Sequence, residues 1–192
     1  TAGTRTATPV EFIPQSIVTV PRSMIDDQGA RTLSEALRNV SNVASQDERD
    51  ANNAVLKIRG FHSATVVDGV AIPGYFPNQE SLSNVERIDV LKGPAGALFG
   101  NAQSTGSYGT LGGTIAITTA PPTRTPVRQV GVSAGSFGQR GVSLDVNQPL
   151  GSTIAARLSA DISDADSESD GVFIKKRGVF PSLLWSPAPK TQ

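Results

Sequence analysis

The segment that most restricts the fold is residues 85–118, in which two apolar runs are separated by turns rich in glycine. It begins VERIDVLKGPAGALFG, continues through a polar loop and ends LGGTIAIT. This order predicts a strand, a glycine-proline turn, a short apolar helix ending at Gly100, a loop, and a second strand opened by Gly112 and Gly113. Because glycine has no Cβ, it lets one backbone pass close to another. The segment therefore predicts a small, tightly connected domain.

The composition favours turns and strands and excludes several kinds of site. Glycine supplies 19 of the 192 residues and proline 13, so long helices are not expected. The 17 basic and 17 acidic residues cancel, and no basic stripe is interleaved with aromatics, so nucleic acid is not an expected partner. With no cysteine and one histidine, the chain lacks thiolate metal sites and any site that needs two histidines. No run approaches the ~20 apolar residues of a membrane-spanning helix.

Up to about residue 119 the pattern predicts a small α+β unit. Thr32 and Glu35 form a capping box at the start of a helix, and apolar residues follow at helical spacing. Asp68 and Gly69 are the dipeptide signal of a tight hairpin. One sheet is expected to contain four runs: residues 55–59, 65–67, 86–91 and 114–118.

A proline cluster at residues 120–126 then interrupts the pattern, because proline cannot sit inside a ladder or a helix. We predict a first domain at residues 1–122, a linker at 123–126 and amphipathic strands at 127–192. Beyond the prolines, apolar and polar residues alternate with a period of two. One face is predicted to carry Val142, Leu144, Val146, Leu158, Ala160 and Ile162, and the other Asp145, Arg157 and Asp161.

Alternation by itself leaves two interpretations open. In a soluble β-sandwich the apolar face is the core, whereas in an outer-membrane barrel it meets lipid and the charged face lines the lumen. Strands of about 9 to 11 residues, a short turn at residues 148–151 and a long charged connection at residues 164–178 favour the barrel. Phe180 and Trp185 provide interfacial aromatics, although Pro181 weakens that strand.

The order of these segments resembles the siderophore-receptor type of TonB-dependent outer-membrane receptor, with its plug domain and first barrel strands. The opening segment of the family's plug domain is similar to the run TATPVEFIPQSIVTVPRSMIDDQGARTLSEALRNVSNV of this chain. The central motifs of the plug are similar to four further runs: LKIRGF, VDGV, VERIDVLKGPAGALFG and GGTIAIT. The first barrel strands resemble the run from VRQVGVSAGSFG to SADISDADSESDG. The chain departs from the family pattern at two places. Its loop at residues 101–111 is longer than is usual in the family, and its HSATVV segment at residues 62–67 is shorter than in many relatives.

This resemblance implies a fold class: an α+β plug domain with a small mixed sheet, followed by antiparallel amphipathic strands of a truncated outer-membrane β-barrel. Family barrels have about 22 strands, and this chain supplies about four, so we expect a segment of a longer receptor. The TonB box of the family is not recognisable and is expected upstream of Thr1.

The resemblance also implies a function without bond chemistry. The receptor would lie in the outer membrane of a Gram-negative cell, bind a ferric siderophore or similar scarce nutrient, and import it with energy from the TonB complex of the inner membrane. Its other partner would be outer-membrane lipid. No cofactor is expected on the protein itself, and iron enters only as a ferric chelate. The alternative is a soluble secreted or periplasmic ligand-binding module with a β-sandwich. A hydrolase would rest on scattered serines, aspartates and His62, without a nucleophile elbow.

The candidate ligand-binding residues lie in three loops. The run PGYFPN at residues 73–78 offers two aromatics as a flat contact surface and an amide for hydrogen bonding. The alternative is a proline-rich turn that packs its aromatics against the barrel wall. The candidates are His62, Gly74, Tyr75, Phe76, Asn78 and Tyr108.

Basic residues of the plug are expected to pair with carboxylates of the barrel, because an unpaired charge inside protein is costly. The candidates are Arg59, Arg87 and Lys92, and the alternative is a pair within the plug, such as Arg87 with Glu86 or Asp89. The acidic run at residues 161–171 lacks the late bidentate glutamate of a calcium loop, so we predict a solvated loop and no metal site.

Overall fold

The computed structural model describes residues 12–13, 15–46, 55–71, 81–93, 111–166 and 173–187. The chain divides into two compact units, Thr1–Thr119 and Ala120–Gln192. Within the described ranges, no helix combines the length and the hydropathy needed to span a bilayer.

The first unit is a mixed sheet with two short helices. The strand order is β1-β6-β7-β4-β3-β2, with β5 beside β4, and only the pairing of β4 with β7 is parallel among these described strands. The four runs predicted to share one sheet do so as β3, β4, β6 and β7, which confirms the α+β prediction. The elements are β1 (Ser16–Pro21), α1 (Arg22–Asp27), α2 (Leu33–Leu37), β2 (Val43–Gln46), β3 (Val55–Ile58), β4 (Phe61–Val67), β5 (Val70–Ala71), β6 (Val85–Lys92) and β7 (Gly113–Thr119).

The main apolar core joins the two helices to the sheet. Its buried members include Ile25 of α1, Leu33 and Leu37 of α2, and Ile88 and Ile115 of the central strands. Removing these side chains from water is the main stabilising term for so small a unit.

The predicted capping box is confirmed at α2. The Thr32 hydroxyl accepts the Glu35 amide at 3.2 Å, and the Glu35 carboxylate reaches back to the Arg31 amide at 2.7 Å. The helix itself is short and ends at Leu37. Helix α1 was not predicted, because it begins directly after Pro21 and no side chain caps its first turn.

Glycines permit the close turns that the sequence predicts. Asp68 and Gly69 have φ values of 49° and 83°, and β4 and β5 pair on either side of them, which confirms the tight hairpin. A Cβ added at Gly112 would lie 2.7 Å from the Ile58 carbonyl oxygen, and one at Gly113 would lie 2.1 Å from that of Leu91. Only glycine fits where β7 passes these two backbones.

The second unit is an antiparallel sheet of order β11-β10-β9-β8. The register places Leu158 opposite Val146 and Ile162 opposite Val142, so the predicted apolar face is confirmed. Its strands are β8 (Val127–Ala134), β9 (Arg140–Pro149), β10 (Ile154–Asp166) and β11 (Phe173–Trp185).

Two sequence-based expectations about this sheet were wrong. The predicted connection at residues 164–178 is mostly strand, because Asp164 pairs with Lys175 and the ladder continues to Asp166 and Phe173. Asp164 of β10 thus lies opposite Lys175 of β11, and opposite charges across strands favour pairing. Pro181 does not interrupt β11, since β11 is the outermost described strand, where a residue without an N–H is tolerated.

Candidate functional site

Three separate parts of the chain meet at one end of the mixed sheet. Strands β4 and β7 are parallel, with Ser63 beside Gly113, while β6 runs opposite to β7, with Lys92 beside Gly113. The turn after β3, the end of β6 and the start of β7 therefore lie together. We call residues 59–62, 92–93 and 111–113 the glycine end.

The glycine end exposes a cation and two apolar side chains. Arg59 takes a φ of 53°, its amide donates to the Asn42 carbonyl at 2.9 Å, and its side chain is exposed. Phe61 and Leu111 are more than half exposed. Sequence reasoning had not selected Phe61 and Leu111, although a large apolar residue beside a glycine turn is a usable signal. This surface can contact a ligand that has both apolar and charged parts.

His62 and Lys92 are less accessible parts of the same end. His62 is half-buried and lies opposite Lys57 in the antiparallel pairing of β3 with β4. Lys92 is buried, and its ammonium donates to the Ser41 hydroxyl at 2.8 Å. The structure thus brings Arg59, His62 and Lys92 to one end of the sheet, from the turn after β3, from β4 and from β6.

Arg87 lies toward the other end of the sheet, opposite Thr118 and Pro21. Its guanidinium Nε is 3.1 Å from a carboxylate oxygen of Asp89, which is buried and also accepts the Thr19 hydroxyl at 2.6 Å. The Arg87–Asp89 contact is a pair within the first unit, which was the alternative that the sequence analysis left open. Contacts of Arg59, Arg87 and Lys92 with barrel carboxylates stay a prediction.

The remaining ligand candidates, Gly74, Tyr75, Phe76, Asn78 and Tyr108, lie outside the described residues. The nearest described residues on either side of the Tyr108 segment are Gly93 and Leu111, and both belong to the glycine end. Their role as ligand contacts stays a prediction.

The second unit has one charged face and one apolar face. On the charged face, Arg157 binds the Asp145 carboxylate at two points, one of them 2.8 Å from Nε to Oδ1, and Ser159 donates to the same carboxylate at 3.1 Å. On the apolar face, Val130, Val132 and Val179 are 69%, 81% and 68% exposed. A sheet that exposes its apolar face this strongly is typical of contact with lipid or another apolar partner.

Neither unit offers a metal site within the residues described: no group of three or more His, Asp or Glu side chains is placed to hold an ion. In the acidic run of β10, Asp164 lies 3.7 Å from the Arg140 guanidinium. The negative charge of Asp164 therefore lies close to a basic side chain of the neighbouring strand β9.

Comparison with known proteins agrees with this arrangement. Residues 9–107 match the family model of the TonB-dependent receptor plug domain. The ferrioxamine B receptor of Salmonella typhimurium is 30% identical over 98% of this chain and 28% of its own length. The catecholate siderophore receptor Fiu of Escherichia coli is 28% identical over 92% of this chain and 23% of its own length.

Solved structures give the same picture. The ferripyoverdine receptor of the Pseudomonas aeruginosa outer membrane superposes with a TM-score of 0.86 at 25% identity, over 98% of this chain and 25% of that one. The open form of Fiu from Escherichia coli superposes with a TM-score of 0.77 at 28% identity, over 90% of this chain and 25% of that one. The chain spans about a quarter of the length of these relatives. It belongs to the TonB-dependent receptor plug domain family.

Proposed function

We propose that the chain is part of a TonB-energised receptor of the Gram-negative outer membrane that binds and imports a ferric siderophore. The first unit is the plug that gates the passage, and β8 to β11 belong to the surrounding barrel. One observation carries the proposal: a unit of the plug family is followed directly by a sheet with a charged face and an exposed apolar face.

The exposed apolar face supports a membrane location over a soluble ligand-binding module. In a soluble β-sandwich, Val130, Val132 and Val179 would be core residues, and removing such side chains from water would stabilise the fold. Here they are largely exposed, so an apolar surrounding such as the lipid of the outer membrane is needed to cover them. The opposite face carries the Arg157 and Asp145 pair, which suits a polar lumen.

The ligand class follows from the relatives, which are named as receptors for ferrioxamine B and for catecholate siderophores. Such chelates combine an iron-binding polar centre with an organic framework, and the glycine end offers matching chemistry in Arg59, Phe61 and Leu111. We propose that ligand meets this end together with His62, Tyr108 and the segment that contains Gly74, Tyr75, Phe76 and Asn78. Iron passes as part of the chelate.

Charged residues of the plug have a separate role in this proposal. The Arg59 side chain is exposed, so it is the strongest candidate for a contact with a barrel carboxylate. Lys92 and Arg87 already hold Ser41 and Asp89, so any such contact would be made in addition to these bonds.

The test is uptake by the full-length protein. It is expressed in a Gram-negative strain that lacks its own siderophore receptors, and ferrioxamine B loaded with radioactive iron is the first probe. We expect binding at the cell surface and accumulation inside. In a matched strain without TonB, binding should remain while accumulation is lost. A full-length protein that purifies as a soluble monomer without detergent would contradict the proposal.

A further inference from the structure

Side-chain hydrogen bonds hold the proline segment that begins the second unit and the residue just before it. We call residues 120–126 the connector. Its sequence, APPTRTP, predicts a linker at residues 123–126 because prolines exclude ladder pairing. The connector backbone is also hydrogen-bonded to side chains of β9 and β10.

Asn147 of β9 binds the connector most closely. Its side-chain oxygen accepts the Thr123 amide at 2.9 Å, and its side-chain nitrogen donates to the Thr123 carbonyl at 2.9 Å and the Thr125 carbonyl at 2.6 Å. Asn147 is completely buried. An asparagine amide offers an acceptor and donors together, so it can bind a backbone as a neighbouring strand would. Without these bonds the buried amide would be costly.

Arg157 of β10 holds the connector closer to its start. Its Nη1 donates to the Pro121 carbonyl at 3.2 Å, while Nε and Nη2 bind Asp145. Proline has a carbonyl but no N–H, so a donor such as arginine is the side chain that can satisfy this backbone. The Asp145 carboxylate fixes the guanidinium in the position needed.

Asp68 of the first unit holds Thr119, the residue just before the connector. Its carboxylate accepts the Thr119 amide at 2.9 Å and the Thr119 hydroxyl at 2.7 Å, and its own amide donates to the Ile117 carbonyl at 2.9 Å. Thr119 is the last residue of β7. Asp68 itself has a left-handed backbone, with a φ of 49°.

We infer that Asp68, Asn147 and Arg157 are positioning residues that fasten the chain on both sides of Ala120. Thr119 belongs to one set of bonds and Pro121 to the other, which leaves Ala120 as the one residue between them. The connector is thus a short tether whose backbone is restrained on each side of Ala120. The bonding pattern itself does not depend on the ligand or on the proposed transport.

Hydrogen exchange in the full-length protein tests the tether directly. With the protein in detergent, exchange is followed at single-residue resolution by mass spectrometry with fragmentation. We expect the Thr119 and Thr123 amides to exchange at least about tenfold more slowly than in an unstructured peptide, because both donate to side-chain carbonyl or carboxylate oxygens. Unprotected exchange at both amides in the unaltered protein would overturn the inference.

Substitutions test the bonds on the two sides of Ala120 separately. Asn147→Ala should raise exchange of the Thr123 amide about tenfold or more. Gln148→Ala is the matched control, because Gln148 is the next residue of β9 and its side-chain nitrogen bonds its own strand at Pro149. Equal exchange in these two variants would contradict the role of Asn147.

At the other side, Asp68→Gly removes both acceptors while tolerating the left-handed turn, and Asp68→Asn keeps one acceptor. We expect faster exchange at Thr119 in the glycine variant and near-normal exchange in the asparagine variant. If Asn147→Ala does not assemble, this pair still tests the tether, and identical exchange in both would refute the role of Asp68.

Trypsin provides an independent readout, since Arg124 is exposed within the connector. A protease needs several residues of extended, released backbone, so the anchored connector should resist cutting after Arg124. Cleavage there should accelerate in Asn147→Ala and not in Gln148→Ala. Rapid cleavage of the unaltered protein after Arg124 would count against the tether.

Discussion

Arg87 and Asp89 stand two residues apart on one face of β6, with 3.1 Å between the guanidinium Nε and the carboxylate. The Asp89 side chain is buried and also accepts the Thr19 hydroxyl of β1. The pair therefore stabilises the junction of an edge strand with the central sheet. A buried carboxylate that loses its cation is costly, which gives Arg87 a structural role whatever else it contacts.

Replacing Arg87 should destabilise this junction. We expect Arg87→Ala to cost about 1 to 3 kcal/mol, since Asp89 is buried while Arg87 is partly exposed and solvent screens part of the interaction. Amides of β1 and β6 in the full-length protein should then exchange about 5- to 150-fold faster. The matched control is Glu86→Ala, at an exposed position of the same strand. In Asp89→Asn, the further change Arg87→Ala should cost little, and an undiminished cost would contradict the pairing.

Gly113 should tolerate no side chain. A Cβ there would lie 2.1 Å from the Leu91 carbonyl oxygen, and its φ of 138° is strained for other residues. We expect Gly113→Ala to cost about 3 kcal/mol or more and to lower the amount of protein assembled in the membrane. Gly69→Ala is the control, because its Cβ would meet open space and only the backbone strain of about 1 kcal/mol applies. Equal amounts of the two variants in the membrane would show that the close approach of Gly113 to the Leu91 carbonyl is unimportant.

A positive charge introduced on the apolar face of the second unit should destabilise the protein, whereas one on the opposite face should not. Val132 lies on the apolar face and Gln129 on the charged face, where it is paired with Asp145. In lipid, Val132→Arg should cost up to about 2 to 4 kcal/mol depending on depth, whereas Gln129→Arg gains a nearby carboxylate. The measurement is the amount of each variant that assembles in outer-membrane fractions. Equal assembly of both would contradict the contact of the valine face with lipid.

The aromatics of the segment at residues 73–78 should contribute to ligand affinity. Truncating a contact aromatic typically costs about 1 to 3 kcal/mol, so Tyr75→Ala and Phe76→Ala should weaken binding of ferrioxamine B about 5- to 150-fold. Titration of the full-length protein measures this, with Phe12→Ala as an exposed aromatic control from the start of the chain. Unchanged affinity with an intact fold would remove both residues from the ligand site.

Local patterns in the sequence were sufficient for several features. The alternation of β9 and β10 correctly assigned Leu158 and Asp145 to opposite faces, because side-chain direction in a strand depends only on position along it. The capping box at Thr32 and the hairpin at Asp68 were likewise predicted, since each needs only residues a few positions apart. Family membership was predictable for a related reason, as the order of such motifs along the chain is itself a sequence property.

Long-range partners were decided only by the tertiary structure. The parallel pairing of β4 with β7 brings Arg59 and His62 to Lys92, and no local pattern encodes that register. The sequence predicts a linker at the proline segment, and only the structure shows that Asn147, more than twenty positions away, binds its backbone. Sequence determines which groups need a hydrogen-bond or charge partner. The packed sheet decides which partner each one receives, because that depends on the distances between strands that are remote along the chain.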